Sequence, residues 1–182
     1  MEQILLYVTM SFAILGLGFL TGVPTYGKED ESLNAQVTVP NDTEISPSPL
    51  YHSIIGKVTS IKILNVTGFP RTEVSFTENG TMVGIGYVTN IGTFLETNKS
   101  DKTISGQGKG IITTTDGDLV MWTSYDLGQI NSDKNEKYRG IIFFDAVSKG
   151  KLDFLNNTVS LYTSDVGSKG SSLRQIWQWN DN

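Results

Sequence analysis

Apolar residues fall along this chain in two regimes. Between Ile4 and Val23 they run without a single charged residue, carried by Ile4, Leu5, Leu6, Val8, Phe12, Ile14, Leu15, Leu17, Phe19 and Leu20. A run of roughly 20 residues, at about 1.5 Å per residue, reaches across roughly 30 Å of hydrocarbon. Its large side chains contribute on the order of −3 to −6 kcal/mol to insertion before Gln3, Thr9, Ser11 and Thr21 subtract a little. A spanning helix is therefore expected over residues 1–27. From about Leu50 the regime changes to short β-branched and aromatic bursts that alternate with polar residues between turn formers.

That second pattern predicts an all-β domain over residues 51–182. The expected strands are Ser53–Leu64, Arg71–Thr77, Thr81–Thr89, Thr93–Thr97, Thr103–Thr115, Leu119–Asp126, Lys137–Ser148, Leu152–Thr163 and Ser172–Trp179. Asn79-Gly80, Asp116-Gly117 and Lys149-Gly150 supply the residues that tight hairpins need at positive φ. Thr72, Val74 and Phe76 share one face of a strand and Arg71, Glu73 and Ser75 the other, the period-two signature of a half-buried strand. Ile141, Ile142, Phe143 and Phe144 are apolar on both faces, so this strand is expected to be covered on both sides and the most buried. Gly84 and Gly86 share a strand face, as do Gly106, Gly108 and Gly110. Glycine repeated on one face predicts tight coiling or close approach of another layer. The architecture expected is an antiparallel barrel of about eight strands, closed or nearly so, with a β-sandwich as the alternative.

Between helix and domain, residues 28–50 carry Glu29, Asp30, Glu31, Asp42 and Glu44 with Pro40, Pro47 and Pro49 and few large apolar groups. Such a stretch reads as a disordered acidic tether, with a mean reach of around 25 Å. Two fates are open to residues 1–27. Thr25-Tyr26-Gly27 offers small residues for signal cleavage, which would leave a secreted protein. The missing Lys or Arg before Ile4 and the length of the run favour a retained membrane anchor. Asn41, Asn65, Asn79, Asn98 and Asn156 each head an Asn-x-Ser/Thr triplet and are possible glycosylation sites, which places the domain outside the cytoplasm.

Composition then removes whole classes of function. The chain has 182 residues with 14 Lys+Arg against 19 Asp+Glu, a formal charge of −5. It lacks the positive field that collects phosphate backbones, so no nucleic-acid partner is expected. There is no cysteine and one histidine, His52, which removes disulfides, thiolate chemistry and multi-histidine metal sites. No metal and no cofactor is expected. Gly106-Gln-Gly-Lys-Gly110 has the wrong spacing for a nucleotide loop and is followed by the strand formers Ile111-Ile-Thr-Thr-Thr115 rather than a helix. Asn131-Ser-Asp133-Lys-Asn135 places oxygens at alternate positions, but Glu136 and Ile142 stand where a calcium loop needs glycine and glutamate. The carboxylates Glu73, Glu96, Asp126 and Asp145 could pair in space, and the sequence alone matches no two of them. The ligand-binding candidates are the large rings Trp122, Tyr125, Trp177 and Trp179, which suit a barrel core or an apolar pocket. Arg174 joins them as the anchor for an anionic head group if its strand face is the lumen.

The motifs Gly106-Gln-Gly-Lys-Gly-Ile-Ile-Thr-Thr-Thr-Asp-Gly117, Met121-Trp122-Thr123, Tyr138-Arg-Gly-Ile-Ile-Phe-Phe144, Ser148-Lys-Gly-Lys-Leu152, Leu155-Asn-Asn157 and Ile176-Trp-Gln-Trp179 resemble those of uncharacterised exported prokaryotic proteins, especially archaeal ones. That group is similar to the allene oxide cyclase-like, calycin-type β-barrels. The resemblance covers roughly Ser53 to Trp179 and implies an eight-stranded barrel whose lumen can hold an apolar molecule without metal or cofactor. It carries no catalytic residue onto a position of this chain. The expected function is that of a membrane-tethered or secreted barrel that binds a small apolar or amphipathic ligand or an envelope partner. The alternative is a cofactor-free isomerase or cyclase acting on a lipid-like substrate.

Overall fold

The computed structural model describes residues 43–181, residue 148 excepted. Its strands are β1 (Thr43–Ile45), β2 (Tyr51–Asn65), β3 (Arg71–Met82), β4 (Gly86–Ser100), β5 (Thr103–Thr114), β6 (Leu119–Ile130), β7 (Glu136–Ala146), β8 (Val159–Val166) and β9 (Ser171–Asp181). Each of β2 to β9 pairs antiparallel with the next. The last returns to the first through Tyr51↔Ile176 and Lys57↔Ser171. The result is a closed eight-stranded antiparallel barrel, which rules out the sandwich. Closure satisfies the backbone groups that an open sheet would leave at its edges.

Thr43–Ile45, inside the stretch expected to be a disordered tether, instead forms β1 on β9 with Ile45↔Trp179, and Leu50 is buried in the core. Three backbone pairings and one apolar anchor are enough to order this end of the segment. The run Ile4–Val23, Asn41 and residues 28–42 of the expected tether lie outside the described residues. Among the described residues no helix is long and apolar enough to cross a membrane.

A barrel gives every strand one inward and one outward face, and the period-two pattern follows it. In β6, Val120, Trp122, Ser124 and Asp126 are buried while Met121, Thr123, Tyr125 and Leu127 are exposed. The turn chemistry was only partly legible. Asp116-Gly117 makes the expected tight turn, with Gly117 at φ 93°. Asn79-Gly80 does not turn at all. It lies within β3, where Gly80 faces inward and leaves room for the Tyr51 ring, and the chain reverses at Val83–Ile85, with Gly84 at φ 75° and Gly86 at φ 97°. Lys149-Gly150 is not a tight hairpin either: a longer connection with a 3-10 turn at Asp153–Leu155 delays β8 to Val159. Leu152 and Leu155 of that connection are fully buried and plug one end of the barrel against Leu50, Val88, Val120, Phe144 and Ile176. Of the apolar run in β7, Ile142 and Phe144 face this core, but Phe143 is 38% exposed, so the strand is not covered on both faces along its length.

Candidate functional site

The barrel is filled at one end and open at the other. At the filled end, glycines make the room. Gly92 on β4 and Gly110 on β5 lie beneath the Trp122 ring, where a Cβ on either would come 2.5 Å from Cζ2. Gly108 similarly admits Phe94. The glycine face of β5 is thus the close approach expected from its spacing, and no phosphate loop. Phe76, Phe94 and Trp122 form a tilted aromatic triad with centroids 5.7–6.2 Å apart.

Beside that triad lies a buried polar belt. Glu78 is 1% exposed. Its Oε2 accepts hydrogen bonds from Asn90 Nδ2 at 3.1 Å and Tyr51 Oη at 3.5 Å, and its Oε1 from Ser172 Oγ at 3.2 Å. Asn90 in turn accepts from Trp122 Nε1 at 2.9 Å. Arg174, 5% exposed, brings Nε to 3.7 Å from Glu78 Oε1, and its guanidinium lies over Phe76, Phe94 and Tyr162 at 4.5, 5.3 and 5.4 Å. Cation–π contact of this kind holds a buried guanidinium in place without using up its N–H donors. Asp126 accepts a hydrogen bond from Tyr162 Oη. Burial raises the Asp126 carboxyl above the usual range, while Tyr162, Arg174 and the Gly106 backbone pull it back. Burial and the Asp126 charge push the Tyr162 phenol up in turn. Arg174 Nε, Asp126 Oδ1 and the hydroxyls of Ser124, Ser160 and Ser164 are buried with no hydrogen-bond partner among the described residues. Of these, Arg174, Asp126 and Ser164 line the cavity above, while Ser124 and Ser160 lie deeper, and each such unmet buried atom calls for an explanation.

Above the belt opens a cavity of about 340 Å³. Its walls are Val58, Ile61, Val74, Ile104, Ile130 and Val166, its inner end Phe76, Phe94, Asp126, Tyr162, Ser164 and Arg174, and its mouth Asn98, Glu96, Glu136, Tyr138 and Lys134. Tyr138 Oη stands 2.7 Å from Glu136 Oε2 and 3.1 Å from Glu96 Oε1. Burial, with repulsion from Glu136, pushes the Glu96 carboxyl up to about 7. Among the described residues no three His, Asp or Glu side chains gather as a metal site.

Of the residues singled out from sequence, the structure brings Trp122 and Arg174 inside, Trp122 into the packed half and Arg174 to the inner end of the cavity. Tyr125, 54% exposed, and Trp179, 42% exposed, point outward. Trp177 also lies on the outer face, in a shallow groove with Ile45, Arg139, Ile141 and Leu161. These three take the outward phase of their strands, so they are corrected to surface positions. Glu96 and Asp126 both line the cavity, whereas Glu73 and Asp145 do not. His52 is exposed on β2. Asn131 Oδ1 accepts from the backbone N–H of Asp133 and Asn135, so the loop that looked like a calcium loop folds around its own asparagine. Asn65, Asn79 and Asn156 are exposed, and Asn98 lies at the cavity mouth. Glu78, Tyr138 and Tyr162 were missed. Their signal is polarity at inward positions, as in Phe76-x-Glu78 and Trp122-x-Ser124-x-Asp126.

No family model matches the chain, and no curated protein matches it. Its fold is similar to that of solved β-barrel structures. A conserved protein of unknown function from Rhodopseudomonas palustris aligns at TM-score 0.59 and 10% identity over 76% of this chain and 97% of its own. A protein of unknown function from Clostridium acetobutylicum aligns at 0.62 and 10% over 76% and 99%. A β-barrel-like protein from Acinetobacter baumannii aligns at 0.62 and 13% over 78% and 98%. At these identities the likeness is one of fold, and the chain is an all-β protein of this barrel architecture.

Proposed function

We propose that this barrel binds one small amphipathic molecule, with its apolar part against Val58, Ile61, Val74 and Ile104 and its polar end at Arg174, Asp126 and Ser164. The observation that carries this reading is the cavity of about 340 Å³ ending on a buried guanidinium and a buried carboxylate, each with an unmet hydrogen-bonding atom. Ligand sites are typically apolar clefts of about 300–1,000 Å³ with a few convergent polar groups. Arg174 already faces Glu78 and Asp126, so a fully anionic head group would enter a region with more negative than positive charge. A head that both donates and accepts, such as a hydroxyl or carboxamide, fits better. In this reading the run Ile4–Val23 anchors the barrel to a membrane outside the cytoplasm, as its sequence suggests.

Native mass spectrometry of the full chain with decanamide, decanoate and decylamine tests the reading. A one-to-one adduct with decanamide, weakened by Arg174→Met and by the cavity-filling Val74→Phe, is the expected result. No adduct with any of the three, or adducts that Val74→Phe leaves unchanged, would overturn it. A second reading is favoured by one feature: Asp126, its carboxyl raised by burial, and Tyr162 form an acid–base pair beside the cavity, as a cofactor-free isomerase or cyclase would need. Under that reading a lipid extracted with the protein returns with unchanged mass but altered chromatographic retention, and Asp126→Asn stops the conversion without releasing the lipid.

A further inference from the structure

The β2–β3 hairpin outgrows the barrel. Pairing of β2 with β9 ends at Lys57↔Ser171, while its pairing with β3 continues to Asn65↔Arg71. Beyond that point the inward face of the hairpin has no opposite wall. Ile61 and Ile63 pair with Val74 and Thr72 on the inward phase, yet they are 65% and 67% exposed. Leu64 sits at the bulge between Ile63 and Asn65, and Val66 and Phe69 occupy the turn, 74% and 59% exposed. A continuous apolar strip therefore runs from the cavity wall at Val58 and Ile61 out to a projecting tip. Water is a poor solvent for such a strip, and exposed apolar groups gathered in one place mark an interaction surface.

The surroundings of the tip indicate what covers it. Lys62, Arg71, Lys99, Lys102, Lys134 and Lys169 are all exposed. They lie on the hairpin or on the β4–β5, β6–β7 and β8–β9 connections, which the antiparallel order brings to this same end. Asp101, Asp133, Glu73 and the mouth carboxylates Glu96 and Glu136 offset most of this charge, and Lys137 and Asp165 pair with each other, so a small positive excess remains at this end. The opposite end carries Asp116, Asp118, Asp145 and Asp153 against Lys149 and Lys151. A chain with formal charge −5 thus presents a slight positive excess around the tip, outside a cavity mouth that itself carries Glu96 and Glu136. The tip is a narrow projection with apolar groups on its turn, its bulge and one face. A projection of that shape penetrates a fluid boundary more readily than it matches a flat protein surface, and apolar residues ringed by Lys and Arg are the composition of interfacial anchors.

We infer that the open end of the barrel docks on an anionic lipid bilayer, with Leu64, Val66 and Phe69 inserted at the headgroup–acyl boundary and the surrounding lysines and arginine on the lipid phosphates. The docked mouth faces the acyl region, so an apolar molecule passes along Ile63 and Ile61 into the cavity without crossing water. The docking stands on the hairpin and its charges and holds whether or not the cavity carries a ligand.

The run Ile4–Val23 could by itself bring the full chain to a vesicle, so the readout must be local. The chain has no cysteine, and Val66→Cys or Val83→Cys therefore gives a single attachment point for an environment-sensitive nitrobenzoxadiazole label. Val83 is 67% exposed in the turn at the opposite end. The full chain is reconstituted into vesicles of phosphatidylcholine alone or mixed with phosphatidylglycerol. The Val66→Cys label is expected to shift to the blue and be quenched by nitroxide-bearing lipids in the anionic vesicles, while the Val83→Cys label stays water-like. Lys62→Glu and Arg71→Glu are each expected to lower the ratio of docked to free label by roughly fivefold, and high salt should do the same. A water-like Val66 label in both vesicle types, or equal burial of the two labels, overturns the inference. A blue shift that grows with protein density in vesicles of phosphatidylcholine alone also overturns it, in favour of a second copy on the free edge of β2.

Discussion

Glu96 at the cavity mouth ties the stability of this barrel to pH, and Glu96→Gln is the perturbation that shows it. Tyr138 has one hydroxyl proton and two carboxylates within reach, Glu136 Oε2 at 2.7 Å and Glu96 Oε1 at 3.1 Å. The phenol's hydrogen bond, together with one from Thr72, favours the Glu96 carboxylate and holds its pKa down. Burial and the Glu136 charge outweigh that, with Asp126 adding to them, and push Glu96 from 4.5 to about 7. Lys134 and Arg174 line the same cavity but do not reverse this. An acid whose proton is held more tightly in the folded state contributes stability that is fully present below its unfolded value and is lost as pH rises through its folded one. The window is therefore about pH 4.5 to 7, with stability falling as pH rises. The full displacement corresponds to at most about 3 kcal/mol. Glu96 is partly open to the cavity, so about 1–2 kcal/mol is expected after solvent screening. Urea unfolding followed by tryptophan fluorescence measures this, since the chain's 3 tryptophans, Trp122, Trp177 and Trp179, all lie in the barrel. The wild type is expected to lose stability between about pH 4.5 and 7, and Glu96→Gln to lose less by about that amount. The raised Asp126 carboxyl adds a slope of the same sign to both proteins, so the difference isolates Glu96. Parallel pH profiles for the two proteins would refute a raised Glu96 carboxyl.

Other changes test other layers of the barrel. Arg174→Met leaves Glu78 buried without its cation and should cost about 3–5 kcal/mol in urea unfolding, and adding Glu78→Gln should recover part of that loss. Gly92→Ala drives a methyl into the Trp122 ring and should destabilise by about 1–3 kcal/mol, with a changed near-ultraviolet circular dichroism signal from that indole. Leu155→Ala removes half of the plug and should cost about 2–5 kcal/mol in the same assay.

The barrel was legible because its causes are local and repetitive. Alternation in β3 and β6 follows from the pleat, and the glycines of β5 mark where Trp122 and Phe94 press against the wall. What failed was punctuation. Asn79-Gly80 has the composition of a hairpin turn, but Gly80 is needed where the Tyr51 ring crosses β3, and Gly84 takes the turn four residues later. The segment after β7 reads as a strand from Leu152, yet Leu152 and Leu155 cap the barrel end, a tertiary demand that outweighs local β-propensity. Tyr125, Trp177 and Trp179 attracted notice for their size, but facing in or out is a matter of phase, which a single strand leaves undetermined until its neighbours are known. The meeting of Glu78 with Ser172 and Arg174, strands apart in sequence, depends on closure between β2 and β9 and leaves no local mark.

The polar belt is the part of the lumen that the fold itself does not require. Inward positions nearer the plug are filled by Val88, Ile112, Val120, Ile142 and Ile176, which shows that the same pleat accepts aliphatic side chains. Burying Glu78, Asp126 and Arg174 costs several kcal/mol per ion before pairing offsets it, and apolar replacement of such a set is often neutral or stabilising. Arg174 Nε reaches Glu78 only at 3.7 Å, beyond hydrogen-bond distance, and Asp126 Oδ1 has no hydrogen-bond partner among the described residues, so the offset here is incomplete. The charges stand where the packed half gives way to the cavity, with the aromatic faces of Phe76, Phe94 and Tyr162 fixing the guanidinium from the side. A layer that is unfavourable for stability, held rigid, and set at the inner end of an apolar pocket has its simplest physical account in what the pocket receives. If apolar replacement of the belt left ligand uptake intact while raising stability, that account would fail, and the belt would be a device for fixing the barrel's register.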